Sequence, residues 1–193
     1  MKKEIPIPVK TFKTRQKWLD WLHKNHEKQE GLWVRIAKKG SQIPTVTYAE
    51  ALETALCYGW IDGQKKPLDE DYWLQRFTPR RRNSIWSRVN CQKAEQLILD
   101  GKMHAAGLKA VDLARKDGRW DRAYESQSKA TPPEDLLEAL EKNPAAKAFF
   151  AGLDRINRYA ILFRIHNTKG PEKRAAKLAQ LVDQLARQKK IHS

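Results

Sequence analysis

The chain of 193 residues has few cysteines, no long apolar runs and a shortage of acidic side chains. Its two cysteines, Cys57 and Cys91, form no Cys-x-x-Cys pair and no Cys/His cluster, so we expect no structural zinc site. Reduced thiols are the simpler interpretation. No apolar run approaches the roughly 20 residues of a membrane-spanning helix, and the N-terminal segment lacks the apolar core of a secretory signal. We therefore expect a cytoplasmic protein without a transmembrane segment.

The common sequence signatures of enzymes and cofactor sites are also missing. There is no glycine-rich phosphate loop, dinucleotide-binding fingerprint, serine-centred elbow or His-Glu-x-x-His motif. His23 and His26 lie three residues apart on a predicted helix, but without a clear carboxylate partner a solvated polar face is favoured over a metal site. Cys57 lies near the C-terminal end of its predicted helix, where the helix dipole does not lower the pKa of a thiol. We expect neither metal nor cofactor, and we favour a non-enzymatic protein.

The shortage of acids leaves a strongly basic protein. Lysine and arginine number 38 against 23 aspartates and glutamates, which gives a net charge of +15. A field of this sign attracts phosphates, anionic membranes and acidic proteins, and it does not select among them. Hydrophobic residues make up 40% of the chain and include seven tryptophans, enough for a substantial core.

The N-terminal part alternates between helical and strand patterns. Residues 1–13 are expected to be extended because two of them are prolines. Thr14 is predicted to cap a helix that ends near His26, and residues 32–37 alternate in the manner of a strand.

The most unusual residue choices lie between Thr47 and Gly101. Thr47 and Glu50 fit a capping box, and Gly59 is predicted to end the helix that follows. Residues 60–61 are predicted to be extended, residues 62–63 to form a turn, and residues 72–77 to form a strand. Ser84 is predicted to cap the next helix, which ends at Gly101.

From residue 103 onward the patterns are helical. A first helix ends at Gly118, and residues 119–130 are irregular and polar. Residues 131–134 fit a second capping box with proline at the first helical position. Three further helices start at a capping residue or a proline: Asn143, Asp154 and Pro171.

These elements predict an α+β fold, with a small antiparallel β-sheet and packed helices followed by a mostly helical C-terminal part. The strand at 32–37 is expected to pair with the extended pieces near 60–65 and 72–77. We assign residues 1–118 to the α+β domain, 119–130 to a join and 131–193 to a helical region. That helical region either stands apart or forms one compact unit with the first domain.

The most suggestive chemistry lies in a basic loop. Residues 77–88 contain four arginines and no acid, and they lead into the predicted helix start at Ser84. Free amide donors and the positive end of a helix dipole, beside guanidinium groups, suit a phosphate or a carboxylate. The alternatives are a solvated arginine turn and tryptophans that belong to the core. The predicted anion site consists of Arg80, Arg81, Arg82, Ser84, Trp86, Asn90, Asp62 and Trp60.

Three longer motifs in this region carry a family resemblance. They are ALCYGWIDG, RFTPRRRNSIWSRVN and DGKMHAAGLKAV, which start at Ala55, Arg76 and Asp100. In this order and spacing the chain resembles the YdeI or OmpD-associated (OmdA, bacteriocin-protection) family of bacterial proteins, from about Phe12 to Lys190. The resemblance implies a link to the cell envelope, to stress and to resistance against cationic peptides or bacteriocins. It implies no defined chemical activity.

Our leading hypothesis is a cytoplasmic binding protein that recognises an anionic small molecule or an acidic partner through the basic loop. A nucleic-acid-binding module that uses the loop and the basic tail after Arg155 is one alternative. A small enzyme with a tryptophan-lined pocket is another. The last helix either docks its apolar side on the protein or lies on an anionic surface. The oligomeric state stays open.

Overall fold

A computed structural model describes residues 7–192 and confirms the α+β class. These residues divide into two compact units. Unit 1 comprises residues 7–86 and 90–122, and unit 2 comprises residues 87–89 and 123–192. Residues 1–6 of the predicted extended segment lie outside the described part of the chain.

Unit 1 contains a four-stranded sheet with the strand order β1-β2-β4-β3. The strands are β1 (Val9–Thr11), β2 (Leu32–Ala37), β3 (Trp60–Pro67) and β4 (Tyr72–Pro79). As expected, β4 pairs in antiparallel fashion with both β2 and β3. In addition β1, from the segment predicted to be extended, pairs with β2 in parallel, a pairing that the sequence pattern did not reveal. The sheet is therefore mixed rather than wholly antiparallel.

Four helices accompany the sheet: α1 (Arg15–Asn25), α2 (Tyr48–Cys57), α3 (Arg88–Leu99) and α4 (Ala105–Lys116). The first two residues of α3 belong to unit 2, and the rest of that helix belongs to unit 1. Local capping explains two of their starts. The hydroxyl of Thr14 accepts from the backbone N–H of Lys17 at the start of α1. Thr47 and Glu50 form the predicted capping box at the start of α2.

The core of unit 1 is aromatic. Trp18 and Phe77 are fully buried with ring centroids 5.6 Å apart, and the ring of Trp60 meets Trp18 edge to face at 6.4 Å. The buried indole N–H groups have partners. Trp18 donates to the carbonyl oxygen of Ala51 at 3.0 Å, and Trp60 donates to that of His26 at 3.1 Å. This packing fixes the ends of α1 and β3 next to each other.

The predicted turn at residues 62–63 is wrong, because β3 continues through it to Pro67. The strand carries an irregularity between Asp62 and Lys65, where its register against β4 shifts. The buried side-chain amide of Gln75 donates to the backbone carbonyls of Gly63 at 2.9 Å and Gln64 at 3.3 Å. A bulge whose backbone groups are satisfied in this way keeps the strand continuous.

Ser84 does not cap a helix, because α3 begins at Arg88. Its hydroxyl instead accepts from the backbone N–H of Arg81, and its own N–H donates to the carbonyl oxygen of Arg81, both at 2.9 Å. These two bonds close a turn and leave the hydroxyl no role at a helix start. The basic loop therefore does not lead directly into a helix N-terminus.

Unit 2 is helical, with α5 (Glu134–Glu141), α6 (Pro144–Ala151), α7 (Arg155–Asn167) and α8 (Pro171–Ala186). Asn143 and Asp154 cap α6 and α7 as predicted. The capping box at 131–134 is wrong. The N-cap of α5 is Pro133, without a side-chain cap bond, because a residue that precedes a proline is disfavoured in the helical conformation.

The helices of unit 2 enclose one apolar core, to which every helix contributes. Its buried members are Leu136, Leu140, Ala146, Phe150, Leu153, Ile161, Leu162, Ile165, Leu181 and Leu185. The apolar side of α8 thus packs within unit 2. Within residues 7–192 no helix has the length and apolar character needed to cross a membrane.

Candidate functional site

Unit 1 contains a cleft of about 390 Å³, which we call the basic cleft. Its walls come from the end of α1, the chain between α2 and β3, the loop after β4 and one side of α4. Five cationic residues line it: Arg80, Arg81, Arg82, Lys109 and Arg119. Glu27 is the one carboxylate among the described lining residues. The charge of the lining therefore favours an anion.

Arg80 is held in place by its surroundings. Its backbone N–H donates to the carbonyl oxygen of Gly59 at 2.9 Å, and its Nη1 donates to that of Ile85 at 3.2 Å. Its guanidinium carbon lies 3.4 Å from the centroid of the buried Trp86 ring. This cation–π contact and the bond to Ile85 hold the guanidinium group against the Trp86 ring. Arg80 is thus a fixed positive charge at the base of the loop.

Arg119 anchors the same loop from the other side. Its side chain is almost fully buried, and its Nε lies 2.8 Å from each carboxylate oxygen of Asp117. Its Nη1 donates to the carbonyl oxygen of Ser84 at 2.8 Å. The charge of Arg119 is balanced by Asp117, so this arginine contributes more to the position of the loop than to the net charge of the cleft.

Arg81, Arg82 and Lys109 are different, because all three side chains are exposed. Within residues 7–192 no carboxylate lies at ion-pairing distance from any of them. A guanidinium group can hold a carboxylate or a phosphate through two parallel hydrogen bonds, and a lysine ammonium group can bind the same anions as a point charge. These three residues are therefore the groups most available to an anion.

Two glycines bring α4 close enough to form a wall of the cleft. A Cβ atom on Gly107 would lie 2.3 Å from the carbonyl oxygen of Cys57, and one on Gly59 would lie 2.8 Å from that of Ala106. Gly59 also has a φ of +70°, which favours glycine. The backbone N–H of His104 donates to the oxygen of Cys57 at 3.0 Å. This close packing fixes Lys109 at the edge of the cleft.

Three histidines and a tyrosine pack together beside the cleft. The ring of His104 lies 4.7 Å from Tyr58, 5.1 Å from His26 and 6.1 Å from His23, centroid to centroid. Burial, followed by the neighbouring His26 and His23, lowers the pKa of His104. Its Nδ1 accepts from the backbone N–H of Ala106 at the start of α4, which requires the neutral ring. Among residues 7–192 no three His, Cys, Asp or Glu side chains are grouped to hold a metal ion.

The structure brings only part of the predicted anion site together. Trp60 and the three arginines of residues 80–82 line the cleft, and Trp86 supports Arg80. Asp62 and Asn90 do not line it. The carboxylate of Asp62 accepts from the hydroxyl of Tyr48 at 2.8 Å, and Asn90 is buried in α3.

Sequence reasoning missed the contributions of Lys109 and Arg119. Both lie far along the chain from the basic loop, and neither belongs to a local pattern that predicts a ligand site. Cys57 is buried as its neighbours indicated, and burial raises the pKa of its thiol to about 11. A thiol of that pKa is protonated at neutral pH and is a poor nucleophile.

Two family models match the chain, one over its N-terminal part and one over its C-terminal part. The family model described as "Domain of unknown function (DUF8412)" matches residues 10–110. The family model described as "Bacteriocin-protection, YdeI or OmpD-Associated" matches residues 129–188, which supports the resemblance over the C-terminal part. No curated protein and no solved structure matches the chain. The chain therefore belongs to the DUF8412 domain family through residues 10–110, and its residues 129–188 match the model of the YdeI or OmpD-associated family.

Proposed function

We propose that the basic cleft of unit 1 binds an anionic ligand, either a small molecule or the acidic group of a partner, without transforming it. The observation that carries this proposal is the set of three exposed cations, Arg81, Arg82 and Lys109, around a cleft of about 390 Å³. A phosphate or a carboxylate in the cleft would meet these charges, while Trp60 touches the lining only from the core, where its ring is almost fully buried. Concave sites with apolar walls and a few convergent polar groups are typical of ligand binding.

Some arginines of the cleft are fixed by the protein and others are exposed, and this difference favours a ligand site over a solvated turn. Arg80 and Arg119 are fixed by Trp86, Asp117 and the loop backbone. A loop held in this way loses little conformational freedom when a ligand binds. Arg81 and Arg82 then extend from a rigid base. Because the loop is already ordered, less of the binding free energy of the anion is lost in ordering it.

The proposed setting follows from the sequence and from the family description. The match over residues 129–188 carries the words "bacteriocin-protection" and "OmpD-associated", which describe that family. For this chain we propose a cytoplasmic role in stress or bacteriocin resistance, in which the cleft recognises an anionic signal or partner. Cell fractionation, and survival of a deletion strain exposed to cationic peptides, test that setting separately from the binding.

The binding itself is tested by isothermal titration calorimetry with inorganic pyrophosphate and with citrate. The variant Arg81→Ala/Arg82→Ala removes two adjacent exposed charges from the loop. The matched control Lys38→Ala/Lys39→Ala removes two adjacent exposed charges from a turn that does not line the cleft. We expect the loop variant to weaken binding about tenfold or more, since charge-assisted hydrogen bonds contribute roughly 1.5–3 kcal/mol each. The control should stay within about twofold.

Two results would overturn the proposal. Equal weakening by both double variants would show that the anion responds to the general charge of the protein. Binding of duplex DNA or single-stranded RNA that persists at physiological salt and needs Arg81 and Arg82, with no pyrophosphate or citrate binding, would replace it with the nucleic-acid alternative. In that case the logarithm of the affinity should fall linearly with the logarithm of the salt concentration.

A further inference from the structure

Unit 2 contains a cavity of its own, which neither the sequence motifs nor the family descriptions assign to a function. It measures about 190 Å³ and lies between the irregular segment at 124–133 and the helices α7 and α8. We call it the ring cavity, because three aromatic side chains line it. Its lining shares no residue with that of the basic cleft.

The walls of the ring cavity are formed by Tyr124, Tyr159 and Phe163. The ring of Phe163 meets Tyr124 at 5.0 Å and 80°, and it meets Tyr159 at 5.9 Å and 48°. These tilted contacts let the three rings surround a space instead of closing it by stacking on one another. Leu162, which is buried in the core of unit 2, adds an apolar surface. The shape suits a planar ring that packs against aromatic edges and faces.

The charged groups of the lining already have partners within unit 2. Arg174 donates two hydrogen bonds to the carboxylate of Asp135, at 2.7 and 3.0 Å, and a third to the carbonyl oxygen of Ile165 at 3.0 Å. The carboxylate of Glu125 lies 3.7 Å from the guanidinium of Arg88. An anionic ligand would have to compete with these pairs or lose its hydration without compensation, whereas the aromatic faces would compensate a cation in part.

The hydroxyl of Tyr159, an uncharged polar group of the lining, also has a partner. The hydroxyl of Tyr159 donates to the backbone oxygen of Glu125 at 3.0 Å, so its own oxygen remains able to accept a hydrogen bond. Thr131 and His166 are exposed and therefore lie at the mouth of the cavity. A single donor on the ligand, such as an O–H or an N–H, would find an acceptor here.

The size of the cavity limits the ligand to one or two fused rings. An apolar cavity of about 150 Å³ is enough to bind benzene. The ring cavity is somewhat larger and carries acceptor atoms, so it has room for a phenol or an indole. We propose that unit 2 binds a small, neutral, planar aromatic molecule of this class among Tyr124, Tyr159 and Phe163.

The test uses the full chain labelled with ¹⁵N and follows backbone amide shifts during titration with indole and with phenol. Choline and benzoate serve as cationic and anionic comparisons of similar size. We expect saturable shifts for the neutral rings, centred on Tyr124, Ala130 and Phe163. Benzoate should bind at least about tenfold more weakly, because the lining charges are already paired, and choline should bind more weakly than indole because it has no planar ring to pack among the aromatic side chains.

Two variants with the same change in volume locate the ligand. Ala130 lines the cavity, so Ala130→Leu should fill it and weaken indole binding at least about tenfold, whereas Ala145→Leu on the exposed side of α6 should leave it unchanged. If the spectrum of Ala130→Leu shows loss of the fold, Phe163→Leu replaces it, because that variant removes a ring and keeps an apolar side chain. The proposal is overturned if indole causes no saturable shifts, if binding survives these cavity variants, or if choline or benzoate binds more tightly than indole.

Discussion

Gly107 offers the sharpest test of how the basic cleft is built. A Cβ atom at this position would lie 2.3 Å from the carbonyl oxygen of Cys57 and 2.8 Å from that of Leu56. Both atoms belong to the backbone and cannot move aside as a flexible side chain would. Gly107→Ala must therefore separate α4 from the end of α2.

The distances around Gly107 set the expected loss in the free energy of unfolding on Gly107→Ala. Ordinary contacts of a Cβ atom begin near 3.4 Å, so α4 must move by about 1 Å at this point. That movement weakens the hydrogen bond from His104 to the oxygen of Cys57. Overpacking costs about 1–3 kcal/mol and a lost hydrogen bond about 1 kcal/mol, while alanine in place of glycine in a helix returns about 1 kcal/mol. We expect the free energy of unfolding of unit 1 to fall by about 1–3 kcal/mol.

The assay is urea unfolding followed by tryptophan fluorescence, which reports on unit 1 because all seven tryptophans lie there. Gly63→Ala is the matched control, since a Cβ atom there would lie 3.8 Å from the nearest atom, the carbonyl oxygen of Arg76, without a positive φ. Its unfolding midpoint should stay close to that of the wild type. A Gly107→Ala protein as stable as the wild type would refute the steric argument, and with it the account of how α4 is positioned.

Three further predictions concern other parts of the chain. Because folding lowers the pKa of His104, the unfolded chain protonates this histidine more readily than the folded chain does, and unit 1 should lose stability as the pH falls below about 6.5. Urea unfolding at a series of pH values measures this dependence, and His104→Gln should make it weaker. Asn157→Ala should lower the free energy of unfolding of unit 2 by about 1–3 kcal/mol, because the buried side-chain oxygen of Asn157 accepts from the N–H groups of Ile191 and His192. Urea unfolding followed by circular dichroism checks this, and an unfolding midpoint equal to that of the wild type would contradict it. Cys57 should resist a thiol reagent at pH 8 in the folded protein and react quickly in urea, because burial raises its pKa to about 11; rapid labelling of the folded chain would show that the thiol is accessible.

The sequence predicted those elements whose signals are local. Three helix starts were predicted because a side-chain oxygen can accept from a backbone N–H three residues later: Thr14, Asn143 and Asp154. Such a capping bond depends only on neighbouring residues in the chain. The alternation of residues 32–37 likewise identified β2, because one face of that strand is buried. The α+β class follows from the order of such elements.

Where tertiary contacts decide, the sequence was a weaker guide. Ser84 had the features of an N-cap, but a bond to the N–H of Arg81 competes for its hydroxyl. The bulge in β3 depends on Gln75 of the neighbouring strand, so a turn at residues 62–63 was the natural but wrong prediction. The extended conformation of β1 was predicted, but its pairing with β2 was missed because β1 is short and exposed and no local pattern marks its partner.

The candidate site shows the same division. The basic loop was visible as a run of arginines without acids, yet a run cannot show which guanidinium groups are committed elsewhere. The structure separates the fixed Arg80 from the exposed Arg81 and Arg82, and it adds Lys109 from a helix remote in sequence. Burial and long-range packing determine these roles.

The most direct test of the central claim is a map of backbone amide shifts during titration of the ¹⁵N-labelled chain with inorganic pyrophosphate at physiological salt. Anion binding in the basic cleft predicts saturable changes concentrated at Arg81, Arg82 and Lys109. Changes that spread evenly over the basic surface, including Lys38 and Lys39, would contradict binding in the cleft. They would show that pyrophosphate responds only to the overall net charge of +15.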